Sequence, residues 1–352
     1  MPFFQPTGEP GRPRGRLLLN IAMGLVVAVA GTATLWYALG ELRSGQPRVA
    51  SVQSRSPSAT AAMTTSPSAT HTPSPAPTPT NKPTAAPAPV HAPATPHIML
   101  IVEENNSYSD IIGNAQLPYI NSLAKKYGVA TNWWALSHPS LPNYLAMISG
   151  STWGNPADTT PQQNTYPGPT LVDELAAKHI AWKAYLEDMP VACDLKDTFS
   201  PGAYDVNHNP FMYFASIRNN PAQCNRVVPF TRLAGDLAAN TAPPFIYVAP
   251  NTNNDMHNGT YAMADSWLKT QLAKVFASRW YAQGGVVILT WDEGEQHGQR
   301  IATIVIAAND HGARLSAFGN HYGLLRALEQ AYGVGLLRGS ASAANGNLKP
   351  LF

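Results

Sequence analysis

Residues 97–102 read His-Ile-Met-Leu-Ile-Val and run straight into Glu103-Glu104-Asn105; residues 285–291 read Gly-Val-Val-Ile-Leu-Thr-Trp and run into Asp292-Glu293-Gly294. Each is a short apolar stretch, too brief for a buried helix, that ends abruptly in acids. A strand buried on both faces reads this way, because a sheet covered by helices on both sides offers no solvent face to alternate towards. Working outward, Phe245-Ile-Tyr-Val-Ala is a third such strand, broken by Pro250, and Trp182–Leu186 and Ile301–Ala307 are two more. Between them stand stretches that read as helices: Tyr119–Tyr127, Leu171–Lys178, Ser266–Ser278 and His321–Tyr332. Apolar strands separated by helices predict an α/β fold with a largely parallel central sheet and helices on both faces.

This pattern occupies residues 97–352, a length that suits a single α/β unit. What precedes it is different in kind. Residues 1–16 carry Arg12, Arg14 and Arg16, and residues 17–39 form an apolar run without a charge, long enough to cross a hydrocarbon core of about 30 Å. An uncleaved signal anchor is the expectation; a cleaved signal peptide is the alternative, since small residues offer cleavage sites. Either way the arginines stay in the cytoplasm and the rest is exported, membrane-anchored if the segment is kept and secreted if it is cut. Residues 40–96 are mostly Ser, Thr, Ala and Pro, with too little apolar surface to offset the entropy of ordering them. They read as a disordered, semi-extended stalk.

Composition excludes several classes. Charged residues make up 12% of the chain, against about 25% in typical soluble domains. A net charge of +2 gives no footprint for binding nucleic acid. Two cysteines cannot build a four-ligand structural zinc site. No obligate protein partner is evident.

In open α/β sheets, functional residues gather where strands end at their carboxyl side. Three such ends here carry acids or amides: Glu104-Asn105, Asn254-Asp255 and Asp292-Glu293. Acids are scarce in this chain, and carboxylates that converge repel one another unless a cation or proton intervenes. Oxygen donors with an occasional histidine point to a divalent metal. A second signal is Ser137-His138-Pro139-Ser140-Leu141-Pro142-Asn143-Tyr144, a loop feeding a helix expected to begin near Asn143. Ser140 then stands near a helix amino end, where N–H groups favour an anion; a plain N-cap is the competing reading.

The motifs E-E-N-N-S-Y, S-H-P-S-L-P-N-Y, V-N-H-N-P-F, P-N-T-N-N-D-M-H-N-G and L-T-W-D-E-G occur in an order that resembles the bacterial phosphoesterase family. That family holds secreted acid phosphatases and non-specific phospholipases C within the alkaline phosphatase superfamily. The resemblance runs from about residue 97 to about residue 333. It implies an alkaline-phosphatase-like fold and hydrolysis of a phosphate-ester substrate, with Ser140 as nucleophile and Glu104, Asn105, Asp292 and Glu293 as ligands of one divalent metal. It places His208 and His257 as catalytic or phosphate-binding histidines. Asp255 and His321, with His257, fall where the wider superfamily keeps a second metal, but D-x-H and Asp-Glu depart from its spacing, so direct contact with phosphate is the other reading. The expected activity is that of an acid-phosphatase-like phosphomonoesterase acting through a phosphoserine. A phospholipase C is the alternative within enzymes, and a non-catalytic cell-surface module the alternative outside them. Finally, Cys193 and Cys224 flank the segment holding His208; in an exported chain they are expected to form a disulfide, two buried thiols being the alternative.

Overall fold

Among the described residues, nine strands form one mixed sheet: β1 (Ile98–Glu103), β2 (Gly128–Trp134), β3 (Trp182–Leu186), β4 (Val227–Pro229), β5 (Phe245–Ala249), β6 (Val286–Trp291), β7 (Arg300–Ala307), β8 (Arg314–Leu315) and β9 (Gly319–Asn320). The computed structural model describes residues 95–197, 203–295, 298–308 and 311–352, all within the unit Ala85–Phe352. The expected cytoplasmic segment, the anchor and all but the last two residues of the stalk lie outside the described residues. No described helix is long and apolar enough to cross a membrane.

The strand order is β4-β3-β5-β1-β6-β7-β2-β8, with β9 also pairing to β2. β1 sits between β5 and β6 and is parallel to both, with Ile98 level with Phe245 on one side and Val286 on the other. β3 and β4 extend the parallel half. β7 runs antiparallel to β6 and to β2, so the sheet is mostly, not wholly, parallel. The cause is legible in the connection: residues 292–299 are too few for the helical crossover that a parallel return needs. β1 and β5 are buried along their whole length, as their unbroken apolar sequences predict. β2 escapes a reading of periodicity because its register shifts between Ala130 and Trp133, which breaks the alternation. Trp133 is consequently buried in the core while Trp134 faces outward.

The principal helices are α1 (Pro118–Lys126), α2 (Ser140–Ser149), α3 (Leu171–Ala177), α4 (Tyr261–Phe276) and α5 (His321–Tyr332). All ten residues of α2 are buried, which marks a helix enclosed on every side. It packs against α5 and ends at Gly150, whose left-handed φ of 71° and close approach to the Leu337 carbonyl leave no room for a Cβ. Arg338 Nη1 donates to the carbonyl of Ser149 at 2.9 Å, so the carboxyl-terminal segment closes the end of α2. His97, just before β1, is half-buried and stacks on Trp280.

Cys193 and Cys224 are joined, with Cα atoms 5.1 Å apart. The bridge ties the turn after β3 to the short helix Pro221–Cys224 and closes the loop that contains His208. In the chain-entropy picture such a loop contributes about 3–4 kcal/mol. Replacing both cysteines by alanine is expected to lower thermal stability by that order, measured by denaturant unfolding of oxidised protein and variant side by side.

Glu329 on α5 is fully buried; its carboxylate accepts the Leu337 N–H at 2.8 Å and the Ser340 hydroxyl. Burial pushes its carboxyl up to about 7. A carboxyl raised in the folded state binds more protons there than when unfolded, so stability is fully present below the unfolded value and is lost as pH rises through the folded one. Glu329→Gln removes this dependence. The Tm of the variant relative to the parent is therefore expected to climb between about pH 5 and pH 7, read by calorimetry across that range.

Candidate active site

The order β5-β1-β6 decides which residues meet, because it sets three carboxyl strand ends side by side. Glu104 and Asn105 follow β1, Asp292 and Glu293 follow β6, and Asp255 lies in the loop after β5. Glu104, Asp292 and Glu293 are wholly buried, and Asp255 is 1% exposed. Backbone bonds lock the ends together: Glu104 N–H donates to the Asp255 carbonyl at 2.9 Å and Asp292 N–H to the Glu103 carbonyl at 3.0 Å. Asn105 takes a left-handed φ of 40°, a conformation asparagine tolerates better than most residues. In that pose its N–H donates to Asp292 Oδ1 at 3.1 Å.

Ser140 arrives from the other direction, on the first turn of α2. The helix begins at Ser140 itself, three residues before the expected start at Asn143. Asn143 folds the preceding loop back onto the helix: its Oδ1 accepts the N–H groups of Leu136 and Ser137 at 2.9 and 3.1 Å, and its Nδ2 donates to the Ser137 carbonyl at 2.9 Å. Asp158 Oδ1 accepts the Leu141 N–H at 2.9 Å. The result places Ser140 Oγ 3.1 Å from Glu104 Oε2, 3.2 Å from Asn105 Oδ1 and 3.3 Å from Glu293 Oε1.

One hydroxyl proton cannot satisfy three acceptors. With the Asn105 amide turned over, its nitrogen would donate to Glu104 Oε2 at 2.8 Å and reach Ser140 Oγ and Glu293 Oε1 at 3.2 Å. With a cation among these oxygens, the carbonyl oxygen would face it instead. Asp292 Oδ2 is buried without a hydrogen-bond partner, an orphan acceptor of the kind a cation satisfies. Among the described residues, no three His, Cys, Asp or Glu side chains meet closely enough to hold an ion by themselves. A complete set needs Asn105 beside the three carboxylates, and those four oxygen donors, with the Ser140 hydroxyl next to them, fit a hard divalent cation.

The electrostatics follow from burial. Loss of water pushes the Glu104 carboxyl well up, and the Asp292 charge adds to this. Burial likewise raises Asp292, and burial with the Asp292 charge raises Glu293. His208 lies among these acids, its Nε2 3.3 Å from Glu104 Oε1 and its Nδ1 3.3 Å from Asp255 Oδ2. Burial alone would lower the imidazole, but the Glu104 and Asp255 carboxylates outweigh it and hold it protonated well above its ordinary value. Tyr144 stacks on the ring and donates its hydroxyl to Glu104 Oε1, while the Tyr247 hydroxyl donates to the His208 carbonyl. His257 is exposed, 6.0 Å from His208 between ring centres, and its N–H donates to Asp255 Oδ1. His321 stands apart: its Nε2 donates to the Asp292 carbonyl, and burial lowers it to about 4, so it is neutral with Nδ1 unpaired.

The structure thus gathers Ser140, Glu104, Asn105, Asp292 and Glu293 in one cluster, with His208 and Asp255 beside it. Sequence reasoning gave no role to Asn143, Tyr144 or Asp158, although the first two lie in the quoted motif. Glu103 was passed over as well; it is buried with both oxygens unpaired. His138 lies at the surface with its Nδ1 2.8 Å from Glu293 Oε2.

Comparison with known proteins identifies the family. The model of the Phosphoesterase family matches residues 114–335, a span holding Ser140, His208, Asp255, His257, Asp292, Glu293 and His321 and starting after Glu104 and Asn105. The chain belongs to that family, whose members are phosphoric ester hydrolases. A phosphatidylinositol-3-phosphatase of Mycobacterium tuberculosis is 32% identical over 243 residues, covering 69% of this chain and 78% of that one. A phosphate-repressible acid phosphatase of Penicillium chrysogenum is 30% identical over 224 residues, 61% of this chain and 54% of that one; this chain spans about half of it. A solved Bacteroides thetaiotaomicron structure, published under the metabolism of multiple glycosaminoglycans, shares the fold with a TM-score of 0.50 at 12% identity, over 73% of this chain and 76% of that one.

Asn143→Ala removes the side-chain hydrogen bonds that set the Ser140 loop. The variant is expected to lose about 1–3 kcal/mol of stability and most of its turnover. Parallel denaturant and steady-state measurements check both effects.

Proposed function

We propose that this chain is an exported, metal-dependent phosphomonoesterase that works through a phosphoserine at Ser140. One observation carries the reading: Ser140 Oγ, at the amino end of a fully buried helix, lies within 3.3 Å of side-chain oxygens from two strand ends. A serine hydroxyl is a weak nucleophile unless a base or metal activates it. A divalent cation held by Glu104, Asn105, Asp292 and Glu293 would lower the pKa of that hydroxyl and offset charge on the phosphoryl group. In the reaction Ser140 Oγ forms a bond to phosphorus while the bond to the leaving oxygen breaks. Glu104 Oε2, 3.1 Å away, receives the serine proton. His257 faces the solvent side and supplies a proton to the leaving oxygen, a contribution of about 10²–10⁴-fold. His208, clamped between Glu104 and Asp255, keeps a positive charge among the acids. Water then attacks phosphorus from the side the leaving group vacated and gives a proton to His257. The bond from Ser140 Oγ to phosphorus breaks, Glu104 returns the proton to Ser140 and phosphate leaves.

The names of the Mycobacterium and Penicillium relatives favour a monoesterase over the phospholipase C alternative. Assays with p-nitrophenyl phosphate, its bis-ester and phosphatidylcholine, with and without chelator, separate these two and the non-catalytic surface module. Ser140→Ala is expected to cut turnover by about 10³-fold or more while metal content, measured by elemental analysis, stays near that of the parent. Acid quenching of the parent during turnover is expected to yield a phosphopeptide containing Ser140. Turnover within a few-fold of the parent in the alanine variant removes Ser140 from the mechanism.

Export is inferred from residues 1–39. A carboxyl-terminal fusion is expected to be accessible from outside intact cells and to sediment with membranes. Recovery of a shortened soluble protein indicates cleavage after the apolar run.

A further inference from the structure

A cleft of about 460 Å³ opens beside the acid cluster, a size within the usual range for small-molecule sites. Asn105 contributes to its wall and also lies 3.2 Å from Ser140 Oγ, so whatever fills the cleft adjoins the nucleophile. Gln116, His257, Thr260, Tyr261 and Glu295 complete its polar lining, and Met256 is the only apolar side chain among the residues lining it.

The wall is built before any ligand arrives. The Tyr261 hydroxyl donates to Asn106 Oδ1 at 2.9 Å, and Asn106 Nδ2 donates to the Glu104 carbonyl at 2.7 Å, which ties α4 to the end of β1. Met256 holds a left-handed φ of 81°, strain of the kind that persists where surroundings enforce it. Gly259 packs so closely on the Asn253 carbonyl that a Cβ would stand 1.8 Å from its oxygen. Several polar groups on this rigid wall are spare. Among the described residues, the Gln116 side-chain amide, the Glu295 carboxylate and His257 Nε2 make no hydrogen bond to protein, and the Tyr261 oxygen keeps acceptor capacity.

Donors and acceptors interleaved in this way match hydroxyl groups, each of which gives one hydrogen bond and accepts others. An alkyl chain in the same place would leave those groups unpaired, which costs binding energy. No Lys or Arg lines the cleft, so it has no means of gathering a second phosphate. We propose that this cleft is the leaving-group subsite and that it accepts a neutral polyol, a sugar or cyclitol bearing one phosphate. The inference rests on Ser140 being the nucleophile of a monoesterase. In the step the bond from phosphorus to the polyol oxygen breaks as the bond to Ser140 Oγ forms, and the polyol departs with the proton from His257.

The test uses the full chain in detergent, with glucose-6-phosphate and inositol monophosphate set against decyl phosphate, phosphocholine and fructose bisphosphate. The first two are expected to show kcat/KM about tenfold or more above the others, the discrimination of one or two matched hydrogen bonds. In Gln116→Leu, an exposed turn position, the ratio of kcat/KM for glucose-6-phosphate to that for p-nitrophenyl phosphate is expected to fall about tenfold; circular dichroism confirms that the variant is folded. Hydrolysis of p-nitrophenyl phosphate with no preference for sugar phosphates, with phosphocholine or decyl phosphate preferred, or with an unchanged ratio in the variant overturns the subsite and leaves the phosphoesterase standing. Failure to hydrolyse any of these esters and to form a phosphoserine overturns the reading of Ser140, and the subsite with it.

Discussion

Five carboxyl groups give up water at one point of this molecule, and the rest of the fold is arranged around that cost. Glu103, Glu104, Asp255, Asp292 and Glu293 are each at most 1% exposed, and all lie at or just beyond the carboxyl ends of β1, β5 and β6. Removing one such group from water unpaired is expensive, and several together also repel one another. Among the described residues, the only cation buried among them is His208, held between Glu104 and Asp255. Charges crowded like this persist when the backbone cannot relax. Here the parallel ladders on both sides of β1 and the hydrogen bonds between strand ends prevent it.

Some of the chain's backbone strain falls at this site. Asn105 and Met256 both hold left-handed backbone conformations, one at the acid cluster and the other at the cleft beside it. Helix α2 cannot shift to relieve the site, since it is enclosed on all sides, fastened by Asn143 at one end and packed on the Leu337 carbonyl at the other. Stability supplied elsewhere, by the large apolar core and the Cys193–Cys224 bridge, offsets what the site costs. Ser140 is therefore positioned by packing, and the acids by strand register.

Chemistry and recognition are divided between two surfaces that meet at Asn105. One is a charged, buried floor of carboxylates, imidazole and serine. The other is a partly open wall of amides, hydroxyls and one carboxylate, fastened through Tyr261 and Asn106 to the backbone of Glu104. Under the proposed function, a change on the wall alters what fits beside Ser140 without disturbing the acids beneath. A change at Asn105 affects both.

The buried strands were legible along the chain because burial on both faces leaves an unbroken apolar run, and β1, β3, β5 and β6 fall within a residue of where that signal puts them. The acids at their ends were legible because charge is rare in this chain. β2 was not, since a register shift hides its alternation, and the antiparallel β7 needed attention to the shortness of a connection. The start of α2 was misplaced because Pro142 reads as a breaker, whereas in the first turn of a helix proline loses no hydrogen bond. What the sequence by itself determined is the inventory: which strands are buried, which residues carry chemistry and in what order. Only the tertiary structure decided that β1 lies between β5 and β6, that Ser140 meets Glu104, Asn105 and Glu293, and that His208 is buried while His257 faces the cleft. Those contacts join residues 35 to 153 positions apart, and no local pattern specifies a distance that only strand order and helix packing set.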